Sequence, residues 1–457
     1  MRSMEERTEI FERLPVKQAV WKQIIPAIAS QMITLIYNLA DTYFVGLLND
    51  PRQTAAVTVA GASFLMLTAI SNLFGVGGAS LVAGYLGKKD PERAGQVSAI
   101  TFWGGLAFGV LFSLSYIVLA DPVLHLCGAT ADTYAFTYGY AKWTVIIGGT
   151  ATILNTLLAN IIRAEGSAGA ASMGLSLGGI VNIILDPFFV LPRFLGYGAV
   201  GAGMATAISN FVSMGFLLSY VLLRRKDSVI SLHPRHLRHT GEHLGKILSI
   251  GFPSAVQYAL TLVASSAQLK FVSKYETEAI AGLGIVKRLD QLPLYFSIGV
   301  ANGLLPLLAY NHSAGNHRRR QDSFRFGSMV SLGFSLLCFA CYELFAPVLV
   351  GLFIDNPLTR TYGAQFLRIM VCAMPFMSLC YPMIVQFQAI GRVRESLICS
   401  ILRKGIVDIP LLFVLDRLLP LYGCMMVQPI VDAMSLVVAL AFYRRINRSL
   451  ESGQPLK

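Results

Sequence analysis

The chain has 457 residues, of which 54% are hydrophobic and only 14% charged, with a mean hydropathy of +0.60 and a formal net charge of +12. A soluble protein of this length carries about 25% charged residues, so the composition leaves no room for an ordinary water-soluble domain. The positive balance suggests nucleic acid, but its distribution, set out below, argues for membrane topology instead.

Twelve apolar runs follow one another, each of about 20 residues or more and so long enough to cross a bilayer. Backbone groups in lipid must be bonded internally, which predicts helices. The first run, 19–46, is too long for a signal-peptide core and lacks a small-residue cleavage site, so it is read as a span. It carries Gln31, Tyr37 and Asp41, the acid within Tyr37-Asn38-Leu39-Ala40-Asp41-Thr42. The second, 56–84, contains Gly75-Val76-Gly77-Gly78, read as close helix packing; no Walker A sequence is present. The third and fourth cover 95–120 and 138–162, the latter with Asn155 and Asn160. In the fifth, 169–191, Asn182 and Asp186 stand four apart on one helical face, and Pro187 should bend the helix and free carbonyls. The sixth, 198–223, brings Thr206 to a similar depth.

The longest polar stretch, 224–247, reads as a linker. Its His233, His236, His239 and His243 share a helical face by spacing, but Pro234 interrupts them and no carboxylate or Cys joins them. A basic amphipathic segment on the membrane surface is expected there rather than a metal site. Six runs follow: 248–273 with Gln257; 278–308 with Lys287, Arg288, Asp290 and Gln291; 327–353 with Glu343; 363–389; 396–416 with Arg403, Lys404 and Asp408; and 422–443 with Asp432. Lys287–Asp290 and Lys404–Asp408 have helical pairing distances, which predicts internal neutralisation. Glu343 and Asp432 are expected near helix ends. Seven scattered cysteines read as small buried hydrophobes.

The chain is also written twice. Gly179-Ile180-Val181-Asn182 returns as Gly405-Ile406-Val407-Asp408, Tyr197-Gly198 as Tyr422-Gly423, and Phe44-Val45 as Phe271-Val272, with Pro26 opposite Pro253. The offset is roughly 226 residues, close to half the chain. This predicts an all-α integral membrane protein of twelve transmembrane helices in two pseudo-symmetric six-helix bundles. An N-terminal lobe covers 1–223, a linker 224–247 and a C-terminal lobe 248–457. With an even number of spans per half, the pseudo-twofold axis runs along the membrane normal.

Of the 37 Lys and Arg, about 25 fall in the N-terminus, the alternate loops beginning at 85–95, and the C-terminus. The opposite loops hold Arg52, Arg193, Lys274, Arg360 and Arg417. This positive-inside bias puts both termini in the cytoplasm and accounts for the charge without nucleic acid.

Charges inside spans are expensive and are functional candidates by default. Asp41 and Asp186, with the oxygens of Asn182 and Thr206, form the donor set of a hard-cation or proton site. Two carboxylates that share a buried place can exchange a proton. The second half does not repeat this set: Asp41 falls opposite Gln268, Asp186 opposite Leu412, and only Asn182 finds a polar partner, Asp408. Gln31, Tyr37, Asn155, Asn160, Gln257 and Gln291 are candidates to line a substrate cavity. Lys287, Arg288, Arg403 and Lys404 are candidates for substrate contact.

These residues resemble the MATE family, the multidrug and toxic compound extrusion transporters. The likeness rests on Asp41, the Gly-rich second span through Gly84-Tyr85-Leu86-Gly87, Arg163-Ala164-Glu165-Gly166, Asn182 with Asp186, Thr206, and Gly251-Phe252-Pro253. It covers nearly the whole chain and is closest to the bacterial MepA-like and DinF-like branches. The resemblance implies the MATE fold, an antiporter rather than an enzyme, a monomer in the bacterial inner membrane, and export of small amphipathic cationic drugs or dyes in exchange for H+ or Na+. It implies no cofactor, and no metal beyond a transported Na+. Asp41, Asn182, Asp186 and Thr206 match the family's N-lobe cation-site pattern. The acidic residues that some branches use in the seventh and tenth spans have no match, since these spans offer Gln257 and no acid within 363–389. Neutralising Asp41 and Asp186 would let the first helix rearrange around Pro26. A flippase for a lipid-linked sugar or other amphiphile is the nearest alternative, carried by Lys287, Arg288, Arg403 and Lys404. An intramembrane enzyme would need a nucleophile or metal set that the sequence lacks.

Overall fold

The computed structural model describes residues 9–452, so the extreme terminal segments assigned above to the cytoplasm lie outside the described residues. Among the described residues, nine helices are long and apolar enough to cross a membrane, and counting each of two bent pairs as one span gives up to eleven. In the first half, α1 is Val16–Gly46, α2 Pro51–Gly87 and α3 Pro91–Leu126. The fourth span is broken: α4, Ala131–Ala141, passes through a π-helical stretch, Lys142–Ile147, into α5, Gly149–Ala164, with a bend of 49°. Then come α6, Ala168–Val190, and α7, Gly198–Leu223. The second half has α8, Thr240–Val272, α9, Thr277–Ser313, and α10, His317–Gly351, followed by α11, Pro357–Val371, bent by 45° into α12, Met374–Ala389. Two short helices, α13 (Val393–Arg403) and α14 (Asp408–Leu418), precede α15, Tyr422–Ser452.

Several starts share one chemistry. Asp50, Asp90 and Asn356 each cap a helix by accepting a backbone N–H from its first turn, and each precedes a proline at the first helical position. Proline has no N–H to leave unsatisfied there, and its φ is already helical.

Three expectations need correction. The eleventh region, 396–416, is not one continuous helix but two short helices interrupted at Lys404–Val407, where Gly405 adopts φ +122°. The four linker histidines do not lie on one continuous helix. A 3-10 turn, Pro234–His239, gives way to α8 at Thr240; His233 caps Arg235, while His243 is buried on α8 with Nε2 3.1 Å from Gln96 Oε1. Of the cysteines, Cys341 and Cys372 are exposed.

The apolar core has one shared part and two separate ones. The shared part joins both halves through Phe11, Ile24, Phe74, Tyr310 and Phe387. It lies toward the end where the lysine and arginine clusters gather. There Gly77 and Gly251 let α2 and α8 touch backbone to backbone, while Gly299 and Gly303 do the same for α9 against α1. Small residues allow such approaches in lipid, where dispersion contacts rather than water expulsion hold helices together. Hydrogen bonds reinforce this end: Tyr310 donates to Glu12 at 2.6 Å, and Arg319 donates to the carbonyls of Phe11 and Leu14, each at 2.6 Å. Toward the opposite end the cores part. One belongs to the first half, with Val45, Leu67, Tyr140 and Val190. The other belongs to the second half, with Phe271, Leu283, Phe366 and Met425. The few cations at that end are held locally: Arg52 by Asp50 at 3.1 Å, Lys274 by Asp416 at 3.2 Å, and Arg360 by the Pro347 carbonyl at 2.8 Å.

Candidate functional site

The acidic residues of the first half meet where α1, α4, α6 and α7 come together. Asp41 is in the penultimate turn of α1, Asn182 and Asp186 are a turn apart on α6, and Thr206 is near the start of α7. All four are buried, Asp186 completely. Pro187, in the last turn of α6, has no N–H to give the carbonyl four residues back.

Tyr140 of α4 donates its hydroxyl to Asp41 Oδ2 at 2.9 Å. Asn182 Nδ2 faces both Thr206 Oγ1, at 3.3 Å, and Asp186 Oδ1, at 3.5 Å, distances at the long end for hydrogen bonds. Asp41 and Asp186 are close enough for their charges to act on each other, and both act on Tyr37 and Tyr140. Three oxygens in this group have no donor: Asp41 Oδ1, Asn182 Oδ1 and Asp186 Oδ2. Among the described residues no Lys or Arg pairs with either acid. Leaving buried acceptors unmatched is costly, so the arrangement is poised to receive a proton or a small hard cation.

The structure therefore brings Asp41, Asn182, Asp186 and Thr206 together and adds Tyr140, which the sequence reading missed. Tyr140 is one aromatic residue among several near the start of an apolar run, and nothing in its neighbours marks it. Tyr37, half-buried, stands at the edge of the group. The other cavity candidates are scattered. Asn155 is tied into α7, donating to Asn210 Oδ1 at 2.9 Å, while Asn210 donates to Thr152 at 2.9 Å. Asn160 accepts from buried Arg163 at 2.9 Å. The first contact ties α5 to α7, and the second lies within α5. Gln31 and Gln291 are half-buried, and Gln257 is buried with Nε2 unpartnered.

In the second half the charges do not pair as expected. Arg403 bonds Asp432 at 3.1 Å, both buried, and the guanidinium lies 4.2 Å from the centre of the Tyr381 ring. Asp432 is thus inside α15 rather than near a helix end. Lys404 donates to Gln428, which in turn donates to Asp432 at 2.7 Å. Asp408 accepts from the Gly405 N–H at 2.6 Å. The predicted Lys404–Asp408 pairing assumed a continuous helix; the break between α13 and α14 destroys the helical spacing on which it rested. Lys287 donates to the Ser265 carbonyl at 3.4 Å, and Arg288 is exposed. Glu343 pairs loosely with Arg368 at 3.8 Å.

The MatE family model matches residues 26–188 and 253–414, two segments that open on the prolines paired by the repeat. The chain is 29% identical over 419 residues to the multidrug export protein MepA of Staphylococcus saprophyticus, covering 92% of this chain and 91% of that one. It is 28% identical over 437 residues to MepA of Staphylococcus aureus, covering 95% of each. Among solved structures it matches an outward-facing multidrug resistance MATE family transporter of the MOP superfamily, with TM-score 0.91 and 24% identity over 98% of this chain and 99% of that one. A MOP superfamily transporter from Pyrococcus furiosus, described as having a binding pocket of reverse polarity, matches with TM-score 0.91 and 23% identity over 99% of this chain and all of the other.

Proposed function

Because this chain belongs to the MatE family, whose members are transporters and not enzymes, we propose that it exports small amphipathic, mostly cationic drugs or dyes in exchange for H+ or Na+. The observation that carries the coupling is the buried acid group of the first half, with two carboxylates and, among the described residues, three undonated oxygens and no paired cation. The proton or Na+ is taken up by Asp41 and Asp186, with Asn182, Thr206 and Tyr140 orienting the oxygens.

Residues 1–223 act as one lobe, 224–247 as their link and 248–457 as the other, although α8 is already helical from Thr240. The division of the core supports alternating access: the lobes share a core at the basic end and separate toward the other. With the basic end in the cytoplasm of a bacterial inner membrane, this is the outward-open state, and the acid group faces the outer side. Protonation or Na+ binding removes negative charge there and weakens the hold on a cationic substrate. A conformational switch follows only if the ion binds the two states unequally. The α1 helix, continuous through Pro26 in this state, is the element whose packing against α6 and α9 the switch must alter. The protein works as a monomer among membrane lipids.

The flippase reading is weakened by the pairing of Arg403 with Asp432, while Lys404 donates to the neutral Gln428 and keeps its charge. The decisive test is cationic-dye efflux from proteoliposomes under separately imposed pH and Na+ gradients. The driving gradient names the ion; no dye movement under either, with the protein folded, defeats the proposal.

A further inference from the structure

At the basic end, four pieces of the second half meet: the end of α9, the start of α10, the corner between α12 and α13, and the last turns of α15. Three of them, the end of α9, the α12–α13 corner and the last turns of α15, line a partly open cavity of about 290 Å3. Its wall combines His312 and Arg392 with the apolar side chains of Ile390, Ile446 and Leu450.

The polar side of this corner is cationic. The rings of His312 and His317 stand 5.7 Å apart, and Arg320, Arg392 and Lys88 are all close enough for their charges to act on His312. Arg320 is the most telling. Its side chain is wholly buried, and Nη2 donates to Asn447 Oδ1 at 2.8 Å, but Nε and Nη1 have no acceptor among the described residues. Nδ1 of His312 and Nδ1 of His317 are likewise unpartnered. A buried guanidinium is ordinarily matched by a carboxylate, because an unpaired charge out of water is strongly unfavourable.

The internal repeat shows what is missing. Ala164 and Gly166 of the first half correspond to Ala389 and Gly391, and both glycines turn the chain with positive φ, +92° and +73°. Between them the first half supplies Glu165, buried and accepting from Ser228 at 2.5 Å. The second half has Ile390 at that position. By the same offset His312, Arg320 and Arg392 fall opposite Gly87, Gly95 and Ser167, so the cations belong to the second half alone, and an apolar side chain lines the cavity where the first half has its acid.

We propose that this corner binds a phosphate-bearing anion, with the oxyanion held by Arg320, Arg392 and His312 and an apolar attachment packed on Ile390, Ile446 and Leu450. Three observations carry this: the unpartnered buried arginine, the convergent basic groups and the apolar flank. Arg–phosphate recognition uses the fork of N–H donors that Arg320 leaves unused. An acidic phospholipid headgroup and a soluble phosphate compound share this chemistry. Either would tie together the ends of four helices at the sealed end of the molecule.

The test is thermal unfolding of the full-length protein, purified in a neutral detergent free of phosphate. Phosphatidylglycerol, phosphatidylcholine and inorganic phosphate are added separately. A rise in the unfolding midpoint with phosphatidylglycerol, and not with phosphatidylcholine, assigns the site to acidic lipid; a rise with inorganic phosphate alone assigns it to a soluble anion. In either case Arg320→Gln and Arg392→Gln should weaken the apparent affinity by about tenfold or more, the loss of a charge-assisted hydrogen bond. Should Arg320→Gln fail to fold, Arg392→Gln and His312→Gln decide the matter. No rise with any additive, or an equal rise in wild type and the folded variants, overturns the proposal.

Discussion

Replacing Gly251 by alanine tests whether the glycine contacts at the basic end control the state of the transporter. A Cβ built on Gly251 would stand 1.7 Å from the carbonyl oxygen of Leu73, 2.6 Å from its carbonyl carbon and 2.9 Å from its Cα. Non-bonded heavy atoms pack at about 3.5 Å, so α2 and α8 must part by roughly 1.5 Å. The obstacle is backbone, which no side-chain rotation relieves. Overpacking of this kind costs about 1–3 kcal/mol, partly offset by the roughly 0.5–1 kcal/mol that alanine gains over glycine within a helix. The net penalty, roughly 1–2 kcal/mol, falls on the sealed state alone and shifts its population about 5–30-fold. Gly284 is the control, since a Cβ there meets nothing within 4 Å. The assay is a distance distribution between spin labels at Lys89 and Asn316, both exposed at the basic end on opposite halves, with the seven native cysteines replaced. Gly251→Ala should add a longer-distance component and lower dye efflux several-fold, while Gly284→Ala should do neither. An unchanged distribution with wild-type efflux in Gly251→Ala would refute the reasoning.

Other perturbations separate the roles assigned above. Asp41→Asn keeps the shape of the side chain but cannot titrate; gradient-driven dye efflux should vanish while the unfolding midpoint does not fall, and surviving efflux would remove Asp41 from the coupling step. Arg403→Met should cost about 3–5 kcal/mol by stranding buried Asp432, and the double change with Asp432→Leu should recover most of it, as read from unfolding of single and double variants. If Asn155 is packing rather than cavity wall, Asn155→Ala should lose about 1 kcal/mol of stability with no change in dye preference across a substrate panel. Gly405→Ala should destabilise by more than about 1 kcal/mol, because alanine is strained at φ +122° and its Cβ meets Leu260 at 2.7 Å; Gly333→Ala, with open space, should not.

The sequence spoke most clearly where charge and apolarity collide. Asp41, Asn182 and Asp186 stood out because a carboxylate inside a span needs a reason, and the i, i+4 spacing already placed two of them on one face. Their meeting with Thr206 follows from helix order, but the approach of Tyr140 is tertiary. A tyrosine near the start of an apolar run looks the same whether its hydroxyl finds Asp41 or the lipid interface. The twelve runs were legible because apolar length is a strong signal, yet the eleventh was misread as continuous. Composition reports hydropathy, not winding, and Gly405 is the one residue there that permits the observed turn. Once that helix is broken, Arg403 and Lys404 reach α15 rather than their own next turn. Asn155 shows a different ambiguity. A polar residue in a span reads as cavity lining, whereas helices in lipid also use such residues to hold one another.

The π-helical stretch at Lys142–Ile147 governs more than the bend it precedes. Its wider turn, closed by Gly148 N–H donating to the Trp143 carbonyl at 2.8 Å, absorbs one residue relative to an α-helix. Tyr140, which reaches Asp41, and Thr152, which accepts from Asn210 of α7, lie on either side of it. In an uninterrupted α-helix their azimuths would differ by about 120°; with one residue absorbed the difference is about 20°. The stretch therefore acts as a phase corrector, bringing two polar side chains of one span to the same azimuth. Winding the stretch as ordinary α-helix at unchanged length would swing Tyr140 off Asp41 by about 100° without altering a side chain of the acid group. Spacing, as much as identity, is what selection must preserve in this span.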